Sequence, residues 1–152
     1  MSRRLFISNL LILFLLSTTV FSQEKAQMIK GPITITSVTL TADNKAHTAD
    51  FVNSVVARTS DMTLHADRML VSYDADSGDV KMIEAEGNIK LLRGTRLIIS
   101  QKAVYYADAE KVIFTGEPRA TDGENIVTGT KITYLLNEDR YLVEDSKVFL
   151  KK

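Results

Sequence analysis

From Pro32 onward, apolar and polar residues alternate in short bursts separated by polar turns. Ile33 and Ile35 alternate with Thr34 and Thr36, the phase slips near Ser37, and Val38, Leu40 and Ala42 resume it. Period-two alternation rich in Ile, Val and Thr predicts a strand with one buried face, and the slip predicts a bulge that bends it. After the turn Asp43-Asn44-Lys45, a second long strand is predicted over 47–57, centred on Phe51 and Val55. Thr59-Ser60-Asp61 turns the chain again, and alternation resumes over 62–66 and 69–73. The stretch 74–79, with Asp74, Asp76, Gly78 and Asp79, has the chemistry of a hairpin loop. Short strands follow at 80–85, 89–92, 97–99, 103–106, 112–115, 126–127, 132–136, 141–143 and 148–150, with Gly, Asp, Asn or Glu in the gaps. After residue 22 no apolar pattern at i, i+3, i+4, i+7 runs for the length of a helix. About fourteen short strands at this spacing predict an all-β sandwich or barrel.

The bursts also repeat. Arg68, Lys102 and Lys131 lie 34 and 29 residues apart, and Gly87 and Gly116 lie 29 apart. A period of this size marks stacked strand-turn-strand units that share one core. The expected fold is an elongated, twisted antiparallel β-jellyroll or sandwich of four such units, with no helix beyond short turns. Its inner faces are expected to carry Ile33, Ile35, Leu40, Phe51, Leu64, Met69, Val71, Leu97, Ile99, Phe114, Ile132 and Tyr134. Trp is absent and aromatics make up only 7% of the chain, so the seam is lined mainly by flexible aliphatic side chains.

Residues 1–22 follow a different pattern. Ser2-Arg3-Arg4 is basic, 5–20 is nearly continuously apolar, and Val20-Phe21-Ser22 offers the small residues a signal peptidase reads. The apolar run falls short of the ~20 residues of a spanning helix. The expected organisation is a signal peptide over 1–22 cleaved near Ser22, a polar leader over 23–31, and one domain over 32–150 of an exported protein. Without Arg3 and Arg4, 17 basic residues face 19 acidic ones, a balance that argues against a nucleic-acid binder. The chain has no Cys, which excludes a disulfide framework and a lipid-modified anchor.

Four pieces, taken in order, resemble the LptA/OstA-like family over about residues 32–150. They are Pro32-Ile33-Thr34-Ile35, Leu64-His65-Ala66-Asp67-Arg68, Val112-Ile113-Phe114-Thr115-Gly116 and Asn125-Ile126-Val127-Thr128-Gly129-Thr130-Lys131-Ile132-Thr133-Tyr134. The resemblance implies an open β-jellyroll, located in the periplasm, that carries lipopolysaccharide through a hydrophobic groove, with no cofactor. The expected partners are an LptC-like subunit of an inner-membrane ATP-driven complex and an LptD-like outer-membrane translocon. By resemblance, Ile33 and Ile35 fall on a lipid-contacting pair in the first strand and Leu92 near another such position, which joins Leu92 to the inner-face residues as the expected groove. Asn53 stands where the first copy has its usual glycine, and Ser146 holds that place in the last. The terminal strands, about 33–41 and 140–150, are expected to pair between copies into a head-to-tail oligomer.

Other chemistry finds little footing. His47 and His65 have no neighbouring ligand at metal spacing. The 74–79 stretch places its Gly fifth rather than sixth and has no Glu at the twelfth position, so it reads as a turn rather than a calcium loop. Glu84 and Glu86 share one face of a strand, and no phosphate loop or Ser-His-Asp set is present. A binding protein is expected, with neither metal nor catalytic residues. Two other readings stay open: an LptC-like subunit that keeps 5–21 as a membrane anchor, and a purely structural β-filament.

Overall fold

Twelve antiparallel strands and no helix make up the computed structural model over the described residues, 32–150. The predicted signal peptide and leader lie outside them. The strands are β1 (Thr34–Thr36), β2 (Thr39–Asp43), β3 (Thr48–Arg58), β4 (Met62–Tyr73), β5 (Val80–Arg93), β6 (Arg96–Tyr106), β7 (Lys111–Thr115), β8 (Arg119–Asp122), β9 (Asn125–Thr128), β10 (Lys131–Leu135), β11 (Arg140–Glu144) and β12 (Lys147–Phe149). All pair within one twisted, unclosed sheet, the jellyroll-like arrangement expected.

There are fewer and longer strands than the sequence pattern suggested. Segments 62–66 and 69–73 are one strand, as are 80–85 with 89–92 and 97–99 with 103–106. The register slips between Val52 and Val55, between His65 and Arg68, and between Glu86 and Ile89. In β4 the buried positions pass from Ala66 to Met69, and in β6 from Ser100 to Ala103, so alternation breaks without the strand ending. An extra residue in a ladder bends the strand instead of terminating it.

These slips are corners. Asn53 and Ser54 (φ 66° and 51°), Gly87 and Asn88 (77° and 51°), and Gly116 and Glu117 (75° and 55°) are successive left-handed pairs at matching points of the repeat. Gly and Asn reach that region at least cost, and crowding adds a second demand. A Cβ on Gly116 would lie 2.7 Å from Gln101 Cβ, and one on Gly87 would lie 2.9 Å from Asp67 Cβ and closer still to its carboxylate. In the last copy Asp145 (φ 49°), rather than Ser146, takes the left-handed place.

The corners fold the single sheet into two layers. Layer one runs β2, the first half of β3, the second half of β4, the first half of β5, the second half of β6, then β7, β10 and β11. Layer two runs β1, the other halves of β3 to β6, then β8, β9 and β12. Phe51, Met69, Ala85, Ala103, Phe114 and Ile132 stand in register across the inside of layer one, and Ala57, Leu64, Leu91, Ile98 and Ala120 across layer two. Met69, Phe114 and Ile132 are fully buried, each worth about 1.5–3 kcal/mol of gross apolar transfer.

The periodic basic residues prove to be register marks. Arg68 pairs with Asp50 at 2.9 Å, Lys102 with Glu86 at 3.1 Å, and Lys131 with Glu144 at 2.6 Å, each across neighbouring strands near a corner. Exposed pairs of this kind are worth about 0–1 kcal/mol each. Among the described residues both ends of the sheet are open: β1 and β2 pair only with β3, β11 only with β10, and β12 only with β9.

Candidate functional site

A narrow, almost wholly apolar slot runs between the two layers. Ala57, Met62, Leu64 and Leu91 line it from layer two, and Ile83, Ala85, Tyr105, Val112 and Phe114 from layer one, with Ile33 at its N-terminal end. The corners close it on one side. Opposite them, its mouth lies between the hairpin turns of the two layers. The free volume inside is about 70 Å³, less than half the roughly 150 Å³ of a cavity that takes one benzene. The slot has the chemistry to hold hydrocarbon, and in this arrangement it leaves little free volume.

The predicted groove residues distribute unevenly around it. Ile33, Leu64 and Phe114 line the slot, and Ile35 packs partly buried against the same core. Met69, Val71 and Ile132 are buried in the inner face of layer one, with Phe51 towards its N-terminal edge. Leu40 faces the same side as its partner Phe51, but edge strand β2 leaves it 55% exposed. Leu97 and Ile99 are corrections, because Ile98 between them is the buried residue of that run. Leu97 pairs instead with the outward, 41% exposed Leu92, and Ile99 borders an outer concavity with Glu117, Arg119 and Asp145. In three consecutive apolar residues the alternation carries no phase, so the sequence could not say which of them faces in. Leu92 therefore also stands on the outer face of layer two.

Tyr134 does more than fill the core. Its ring is fully buried, edge-on to Tyr141 at 6.3 Å, while its hydroxyl reaches the mouth of the slot. There it accepts from Arg93 at 2.9 Å and from Arg96 at 3.2 Å, and donates in a short bond to Asp139. Arg96 pairs with Asp139 at 2.6 Å and with Asp122 at 3.1 Å. Arg93 pairs with Asp61 at 3.0 Å and donates to the Leu136 carbonyl at 3.4 Å. Arg93 and Arg96 also stack over the Tyr134 ring at 5.9 and 5.8 Å. The Tyr134 hydroxyl and Arg96 hold the Asp139 carboxyl below the usual carboxylate range. Burial, and then the bond to Asp139, push the Tyr134 hydroxyl above the usual phenol range. Pattern reasoning missed Arg93, Arg96 and Asp139. The only sequence signal is a pair of arginines flanking the tight turn Gly94-Thr95, whose partners lie some 40 residues on.

Elsewhere the polar residues are structural. Asp74 accepts from the Asp76 and Ser77 amides at 3.0 Å, which caps the 74–79 hairpin and lowers its own pKa. His47 sits in the β2–β3 turn with φ 53°, and His65 stands on the outer face of β4. No cluster of metal-binding side chains forms among the described residues.

Comparison with known proteins decides the family. The model described as "LptA/(LptD N-terminal domain) LPS transport protein" matches residues 34–140, well over half of the chain. The chain belongs to this family. Among solved structures, one similar chain is LptH of Pseudomonas aeruginosa, titled the LptA homologous periplasmic component of the conserved lipopolysaccharide transport device. It superposes with a TM-score of 0.74 at 12% identity, over 83% of this chain and 99% of that one. At that identity the likeness establishes the fold alone. Comparison with curated protein sequences gives no match. As a member of the LptA/LptD N-terminal family, the chain is a lipopolysaccharide transport protein whose repeats build the jellyroll described above.

Proposed function

We propose that the protein is a periplasmic lipopolysaccharide carrier that shelters acyl chains between its two layers and passes them along a stack of copies. The observation that carries this reading is a slot lined from both layers by apolar side chains, in a sheet whose two ends are both unpaired among the described residues. Each methylene removed from water is worth about 0.8 kcal/mol, so an acyl chain of about a dozen carbons gains on the order of 10 kcal/mol gross. Transfer to the same slot in a neighbour exchanges one oily environment for another and is nearly neutral, so this protein needs no energy source of its own. Loading requires the layers to part, because the closed slot is narrower than the guest.

Stacking would use the free edges, β1 and β2 of one copy meeting β12 and β11 of the next. Backbone donors and acceptors on open edges recruit further strands, and such a contact propagates instead of closing on itself. Exposed Val38 and Leu40 at one end, and Leu142, Val148 and Phe149 at the other, add apolar surface to it. An LptC-like inner-membrane subunit and an LptD-like translocon would terminate the stack. Ile33, Leu64 and Phe114 are the residues assigned to direct acyl contact.

Native mass spectrometry of the processed protein with lipopolysaccharide, over a concentration series, tests this reading. Bound lipid and end-to-end growth support it; a lipid-free monomer at every concentration contradicts it. A protein found only in the membrane fraction at full length would favour the LptC-like alternative.

A further inference from the structure

Beside the slot, at Leu136, a polar cluster that spans several turns joins the two layers. Along the layer-two lip there are two separate ion pairs: Asp61 at the β3–β4 turn with Arg93, and Arg96, on the other side of the β5–β6 turn, with Asp122 at the β8–β9 turn. Thr95 adds a bond to Asp122 at 3.3 Å. The same two arginines cross the mouth to Tyr134, to the Leu136 carbonyl and to Asp139, all at the β10–β11 hairpin of layer one. These bonds join the two lips. The corner pairs Asp50–Arg68, Glu86–Lys102 and Lys131–Glu144, by contrast, each stay within one layer.

We infer that Arg93, Arg96, Tyr134 and Asp139 are the access-determining residues of the slot, a polar tie that must release before an acyl chain can enter or move on. This inference rests on the lipid-carrier reading. Three observations favour a releasable tie over a permanent staple. The closed slot is too small for the guest, so the lips it joins have to separate. The Asp139 side chain is 57% exposed, so water can replace Arg96 as its partner, while Arg96, itself 18% exposed, keeps Asp122 on its own lip. Finally, Arg96 Nε is buried with no partner in the closed arrangement, so closure leaves one donor of a charged group unsatisfied.

The test compares the double variant Tyr134→Phe/Asp139→Asn with Asp122→Asn, in the full chain. The first removes the hydroxyl and charge that cross the mouth, while the Phe ring keeps its packing and Asn tolerates the left-handed backbone of Asp139. The second weakens bonding along one lip only. Two readouts are taken: amide exchange at the β5–β6 and β10–β11 turns, and association of a fluorescent fatty-acid probe. The double variant is expected to speed both by about tenfold, a small population shift towards the open state, while Asp122→Asn leaves probe association unchanged. Faster exchange with unchanged probe association overturns the inference, as does an equal effect from Asp122→Asn. If no variant takes up the probe although exchange still accelerates, the lipid-carrier reading itself fails. Uptake at wild-type rate by the double variant refutes the tie alone.

Discussion

At the scale of single residues, the corners carry the most information. Gly87 and Gly116 stood out in the sequence as a 29-residue repeat, and the left-handed backbone and crowding at those positions explain the periodicity. Gly87→Ala should cost about 1–3 kcal/mol, combining a strained φ with a clash against Asp67, measured by urea unfolding. Asn53→Gly should change stability by less than about 1 kcal/mol, since both residues accept that conformation. The charge pattern of Tyr134 and Asp139 yields a pH prediction. Asp139's folded pKa lies below its unfolded value of ~3.9, so its contribution is complete above about pH 4 and fades as pH falls through the folded value. Tyr134's lies above its unfolded value of ~10, so its contribution is complete below about pH 10 and fades at higher pH. Probe association should therefore be flat from about pH 5 to 9 and rise only in acid or strong base; a midpoint near neutrality would show that another group controls the mouth.

At the scale of elements, the sequence revealed strand identity well and strand continuity poorly. Period-two alternation placed nearly every strand, because one face of each layer is buried and the other wet. It failed at the corners, where the buried phase shifts inside β4 and β6 opposite extra residues in β3 and β5, and where Leu97-Ile98-Ile99 offers no phase at all. Contacts across the mouth were invisible for a different reason: Arg93 and Tyr134 lie 41 residues apart and meet only because the corners fold one sheet upon itself. Magnitudes suit a releasable tie. Hydrogen bonds to charged groups are worth about 1.5–3 kcal/mol each, so the few that cross the mouth are offset by burial of about a dozen methylenes at about 0.8 kcal/mol apiece. The edge strands make a separate prediction. Leu40→Glu places a charge on exposed β2, where nothing in the core depends on it, and should abolish end-to-end growth in sedimentation velocity while leaving the thermal midpoint within a few degrees.

At the scale of the whole molecule, the proposed function would put to use together two properties that usually count against a protein in water. Unpaired sheet ends invite other strands, and an apolar seam that is not permanently filled invites hydrocarbon. Here the ends lie at opposite extremes of the sheet and the seam runs between them, so copies joined by their edges would align their slots into one path. Family membership fixes the broad task as lipopolysaccharide transport; in the proposed reading the slot is its physical means. Photo-crosslinking in cells making lipopolysaccharide tests that claim most directly, with the reactive residue placed at slot positions Ile33 and Leu64 and at outward positions Leu92 and Leu97. The account predicts lipid adducts at 33 and 64 and none at 92 and 97; adducts at the outward pair alone would show that the lipid travels over the surface of layer two, and the slot account would be wrong.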